Sequence, residues 1–121
     1  MLRKKLLFIH RHAPYGSSLA KDGLDAILAA SAYDQNISVL FMDDGVFQLL
    51  KQQSATEIHQ KNFSAMLPAL SLYEINSIYV HAESLMRRQI TKDELILDGV
   101  QLIDSSAISS LLTQQDQLLS F

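Results

Sequence analysis

Ile37-Ser38-Val39-Leu40-Phe41-Met42 is an apolar run broken by a single serine, and Asp43-Asp44-Gly45 stops it at once. A short run of this kind, with no polar residue at every second place, fits a strand buried on both faces, as in a parallel sheet. Leu6-Leu7-Phe8-Ile9 repeats the pattern directly after Lys4-Lys5 and ends at His10-Arg11-His12. Between these two runs, Leu24, Ile27, Leu28 and Ala32 recur at spacings of three and four, while Lys21, Asp22 and Asp25 lie off that face. This is a helical period, and it predicts an amphipathic helix from Leu19 to about Asn36.

The alternation continues downstream. Val46 to Leu50 predicts a short helix. Phe63, Met66, Leu67 and Leu70 predict another, kinked or shortened at Pro68. Ile78-Tyr79-Val80 reads as a third strand by its β-branched and aromatic content. Ser84 to Arg88 reads as a helical turn with Ser84 as its N-cap. Val100 to Ile103 is a fourth strand, Ser105 or Ser106 caps a helix through Leu112, and Gln117 to Phe121 is a fifth strand. Strand–helix alternation of this kind predicts an α/β fold: a three-layer α/β/α single domain with a mostly parallel five-stranded sheet. With no repeat, biased tract or linker-like run, the domain is expected to span residues 1–121.

Composition narrows the chemistry. The chain has 121 residues, a formal net charge of −3 and 48% hydrophobic residues, which suits a folded domain of ordinary size. No stretch approaches a membrane span, and the apolar run after the N-terminal basic residues is too short for a signal peptide, so a cytoplasmic protein is expected. The acidic balance argues against a nucleic-acid surface. Cysteine is absent, so this chain carries neither a disulfide nor a reactive thiol of its own.

In a parallel sheet the loops that follow the strands share one edge, here His10–Ser18, Asp43–Phe47 and His81–Ser84. His10 and His12 could share a metal with Asp43, Asp44 or His81, but alternate residues flanking Arg11 in an extended segment send their rings apart. Pro14-Tyr15-Gly16-Ser17-Ser18 precedes a helix yet has one glycine only, and neither nucleotide-binding glycine pattern is present. Asp44-Gly45 reads as a turn whose carboxylate accepts backbone N–H groups at the start of a helix. There is no nucleophile elbow, and Ser17, Ser84 and the histidines make no hydrolase arrangement. The residues thus predict no catalytic group, no metal and no cofactor.

Three segments together resemble the TusC (DsrF-like) branch of the DsrE/DsrF/DsrH sulfur-relay family. They are Ala13-Pro14-Tyr15-Gly16 with Asp22-Gly23-Leu24-Asp25-Ala26-Ile27-Leu28-Ala29, then Asp44-Gly45-Val46-Phe47-Gln48-Leu49-Leu50, then Tyr79-Val80-His81-Ala82-Glu83-Ser84-Leu85 with Arg88. The resemblance implies a five-stranded α/β/α fold and an accessory, non-catalytic subunit. Its partners are expected to be TusB-like and TusD-like chains in a dimer of heterotrimers. Sulfur then rides on a cysteine of the TusD-like chain and passes to a TusE-like acceptor, in support of 2-thiouridine formation at the tRNA wobble position. His81 stands where relatives carry cysteine, and an imidazole holds no persulfide. It either tunes a partner's thiolate or serves as a structural polar residue. Phe47, Asp44 and Tyr15 are the residues expected at a partner interface, although Phe47 could equally pack into its own core. A DsrF-like role in sulfur oxidation and a stand-alone flavodoxin-like ligand binder remain the alternative readings.

Overall fold

A computed structural model describes residues 4–33, 35–50, 67–73, 75, 77–97 and 99–121. Five strands form one sheet: β1 (Lys5–His10), β2 (Asn36–Phe41), β3 (Ser77–His81), β4 (Gln101–Ile103) and β5 (Gln117–Ser120). Their order is β4-β3-β2-β1-β5. Every pairing is parallel, with Phe8 opposite Val39 and Leu119, and Val39 opposite Ile78. The central strands β1 and β2 are buried along their whole length after the first residue, which explains why both read as unbroken apolar runs.

Among the described residues, three α-helices accompany the sheet: α1 (Leu19–Ser31), α2 (Ala82–Arg87) and α3 (Ser105–Thr113). From β1 to β4 the chain steps along the sheet in one direction, and the described parts of these connections pack on a single face. There Leu6, Phe8, Val39, Phe41 and Val80 pack with Leu24 and Ile27 of α1, Val46, Leu49, Leu67 and Leu85. The last connection returns from one edge of the sheet to the other across the opposite face. On that side Leu7, Ile9 and Leu40 meet only Ile108 and Leu111 of α3 as buried partners among the described residues.

Several boundaries differ from the sequence reading. The second strand stops at Phe41, and the helix expected over 46–50 is a 3-10 helix, Asp43–Leu49. Of the helix expected over 63–70, the described part is a 3-10 helix, Leu67–Tyr73; Phe63 and Met66 lie outside the described residues. Pro68 sits at the second position of that helix, where a missing N–H costs no helical hydrogen bond. α1 ends at Ser31, short of Asn36, which begins β2. The cap of α3 is Asp104 rather than Ser105 or Ser106: its carboxylate accepts the Ala107 N–H at 2.8 Å. Among the described residues, no helix is long and apolar enough to cross a membrane.

A charge-compensated cleft at the strand ends as the candidate site

Residues at the carboxyl ends of β2 and β3 and on α2 enclose a cleft of about 360 Å³, lined by Asp43, Asp44, Phe47, His81, Ser84, Arg87 and Arg88. The sequence places these residues far apart, and the sheet brings them together.

Position 45 fixes one wall. A Cβ built there would lie 1.9 Å from the backbone oxygen of His10 and 2.5 Å from its carbonyl carbon, so the 3-10 turn can press against the end of β1 only with glycine. Asp43, just before it, adopts φ +51°, a left-handed conformation that Asp tolerates better than most residues. Its N–H donates to Ser84 Oγ at 3.0 Å, a bond that spans 41 residues. The carboxylates do not cap the helix, as the sequence had suggested. Asp43 instead meets Arg11 Nε at 3.0 Å, and Asp44 accepts from Nε and Nη2 of Arg88 at 3.0 and 2.9 Å. Arg88 also donates Nη1–H to the Ser84 carbonyl at 3.1 Å, and its guanidinium lies 5.9 Å from the centroid of the Phe47 ring. On the rim, Arg87 pairs with Glu83. The two carboxylates that line the cleft are matched by two guanidinium groups.

His81 ends β3 and occupies the N-cap position of α2; Ser84 is inside the helix and is not its cap. The imidazole is held at both nitrogens. Nδ1 lies 2.6 Å from Ser84 Oγ, and Nε2 lies 3.0 Å from Ser105 Oγ at the start of α3. Its side chain is 12% exposed. The sequence had offered no hydrolase arrangement of Ser84 with the histidines; the fold sets His81 against Ser84. Ser84 is nevertheless 3% exposed and already accepts the Asp43 N–H, which makes it a clamp between loops. Ser84→Ala leaves that N–H and the imidazole without their partner. The expected loss is about 1–3 kcal/mol in a urea titration, with the circular dichroism of the folded state unchanged.

The two N-terminal histidines part company. His10 is fully buried, its Nδ1 lies 3.1 Å from Gln48 Oε1, and its ring packs against Phe41 and Phe121. His12 is exposed. Gln48, also fully buried, donates Nε2–H to the His12 carbonyl at 2.7 Å. That bond turns Oε1 toward His10, so Nδ1 carries the proton and Nε2 is a buried nitrogen without a hydrogen-bond partner among the described residues. Desolvation lowers the His10 pKa from 6.5 to about 4, against the smaller, raising influence of Gln48. Gln48 was missed by sequence reasoning, although a lone amide inside Val46-Phe47-Gln48-Leu49-Leu50 is the kind of buried polar group that demands partners.

Phe47 is half-buried: it packs against the main core and also lines the cleft beneath Arg88. Asp44 has an exposed carboxylate. Tyr15 is 51% exposed in the loop after β1 and is not among the described residues that line the cleft. Among the described residues, no three His, Asp or Glu side chains are grouped to hold a metal ion.

A model of the DsrE/DsrF-like family matches residues 4–121. The intracellular sulfur oxidation protein DsrF of Allochromatium vinosum is 38% identical over 131 residues, covering 98% of this chain and 96% of its own length. The TusC homolog of Vibrio parahaemolyticus is 39% identical over 117 residues, covering 97% and 98%. That of Pseudomonas aeruginosa is 35% identical over 119 residues, covering 98% and 99%. Among solved structures, the ychN protein from E. coli superposes with a TM-score of 0.81 at 23% identity, covering 99% of this chain and 100% of that one, a likeness of fold.

Proposed function

The chain belongs to the DsrE/DsrF-like family, and on that premise we propose that it is a TusC-like, non-catalytic subunit of a TusBCD-type sulfur-relay complex supporting 2-thiolation of the tRNA wobble uridine. One observation carries the reading. At the end of β3 the chain presents His81, tied at both nitrogens to its own serines, and it has no cysteine anywhere to bear sulfur. A sulfane atom in this complex therefore rides on a TusD-like partner, which hands it to a TusE-like acceptor, in the cytoplasm and without cofactor or direct contact between this chain and tRNA. His81 acts as a structural tie between α2 and α3 and does not reach a partner's thiol.

The partner-facing surface is the strand-end edge, with Phe47 as its apolar anchor and with Asp44 and, in the loop after β1, Tyr15 contributing to it. The compensated charges of the cleft disfavour an anionic ligand such as a nucleotide, which weighs against a stand-alone small-ligand binder. The likeness to the Allochromatium protein favours, as a second reading, a subunit of the same architecture working in sulfur oxidation.

Co-expression with the chromosomally neighbouring genes tests the proposal. Expected is a stable complex with one cysteine-bearing and one further small α/β chain, whose removal of this subunit lowers 2-thiouridine in tRNA. Phe47→Asp is expected to reduce assembly at least about tenfold while the isolated chain keeps its circular dichroism. Assembly that persists unchanged overturns the role given to Phe47, and full tRNA thiolation without this chain overturns the proposed function. A complex that forms but leaves tRNA thiolation untouched favours the sulfur-oxidation reading.

A further inference from the structure

The walls of the strand-end cleft differ in sign. One belongs to the 3-10 helix and presents Asp43, Asp44 and Phe47; the other, from the end of β3 and α2, presents two guanidinium groups. Most of the polar groups are already engaged. Arg88 commits its guanidinium to Asp44 Oδ1 and the Ser84 carbonyl, and only 22% of its side chain is exposed. His81 and Ser84 are tied to each other, to Ser105 and to the Asp43 N–H. What stays open has opposite charge on the two sides. Asp44 receives both Arg88 bonds on Oδ1, and Asp43 receives Arg11 on Oδ2. Asp44 Oδ2 and Asp43 Oδ1 are thus left without a hydrogen bond among the described residues, each able to accept one or two. On the other wall the Arg87 side chain is 75% exposed and paired with Glu83 one helical turn earlier. An exposed pair of this kind holds weakly, so an entering carboxylate can take over the guanidinium.

We propose that the cleft binds a free α-amino acid with an apolar side chain. The ammonium group donates N–H bonds to Asp43 and Asp44, the carboxylate takes the Arg87 fork, and the side chain covers the half-buried Phe47 ring. A net anion gains at Arg87 and loses at the two aspartates, and a net cation does the reverse. The matched walls therefore select a molecule that carries both charges. A quaternary ammonium does not serve, because it has no N–H for the carboxylate oxygens. The volume of about 360 Å³ lies at the small end of the roughly 300–1,000 Å³ usual for ligand sites, which suits a ligand of this size. The inference does not rest on the sulfur-relay reading, because it concerns a soluble ligand and the isolated chain, whereas that reading stands or falls on assembly and tRNA thiolation.

Isothermal titration calorimetry of the purified chain with L-leucine and with L-phenylalanine tests it. Saturable binding of at least one of them below about 10 mM is the expected result. The amide of the amino acid that binds lacks the carboxylate, and its N-acetyl derivative lacks the ammonium. Each is expected to bind at least about tenfold more weakly than the parent amino acid. Arg87→Gln alters an exposed side chain, so the circular dichroism is expected to stay unchanged while affinity falls by at least about tenfold. Asp44→Asn is expected to weaken binding as well. The absence of binding by both amino acids overturns the proposal. So does an analogue lacking one charge that binds as well as its parent, or an affinity that Arg87→Gln leaves intact.

Discussion

Gly45→Ala is expected to unfold the chain or to lower its stability by about 3 kcal/mol or more. The added methyl would sit 1.9 Å from the His10 carbonyl oxygen, and the obstacle is backbone at the end of a central strand, not a side chain that can swing aside. Relief requires the 3-10 turn to move outward, which pulls Val46, Leu49 and the Gln48 amide, all buried, out of register with β1. Equilibrium urea denaturation followed by far-ultraviolet circular dichroism measures the effect. A variant within 1 kcal/mol of the parent, on the order expected of a surface substitution, contradicts the close approach described for this turn. Gly16 is the internal control. Its φ is positive, 87°, but nothing lies within 4 Å of a Cβ there, so its replacement costs only local backbone strain.

Acid is expected to weaken the fold through His10. In the unfolded chain its imidazole takes up a proton near pH 6.5, whereas the folded chain refuses it until about pH 4. As the pH falls through that window, the unfolded state binds a proton that the native state does not. Stability therefore declines by about 1.4 kcal/mol per pH unit, for a total on the order of 3 kcal/mol. The contribution is fully present above pH 6.5 and has gone by pH 4. Denaturation midpoints at neutral pH and near pH 4.5 measure it, with His10→Gln as the reference that retains the carboxylate titrations and removes the imidazole. The difference between parent and variant should change with pH in the stated direction. Parallel curves would refute a neutral, buried His10.

These two positions also mark how far the amino-acid pattern alone reaches. β1 and β2 were legible because a strand covered on both sides has no polar alternation, and α1 because one of its faces is apolar. The 3-10 geometry over 43–49 was not legible, since it follows from how closely Gly45 lets the turn approach His10. The site was legible only in outline. That the loops after β1, β2 and β3 share an edge follows from parallel topology. That Asp43 donates to Ser84, and that His81 bridges Ser84 and Ser105, depends on inter-strand register, which no local pattern encodes. The shared Asp-Gly turn hid its own chemistry in the same way: its carboxylates find the guanidinium groups of Arg11, just after β1, and Arg88, just after α2, in place of the helix N–H groups that a local reading assigns to them.

The burial of His10 reaches beyond acid sensitivity. Its ring edge lies 2.7 Å from where a side chain at Gly23 would begin, its Nδ1 is satisfied by Gln48, and Gln48 in turn holds the carbonyl of His12. Positions 10, 23 and 48 form one coupled module: a larger residue at 23 evicts the imidazole, and an apolar one at 10 strands the amide. Anyone recombining segments between relatives must transplant this trio together, because a chimaera that splits it inherits two halves of different locks.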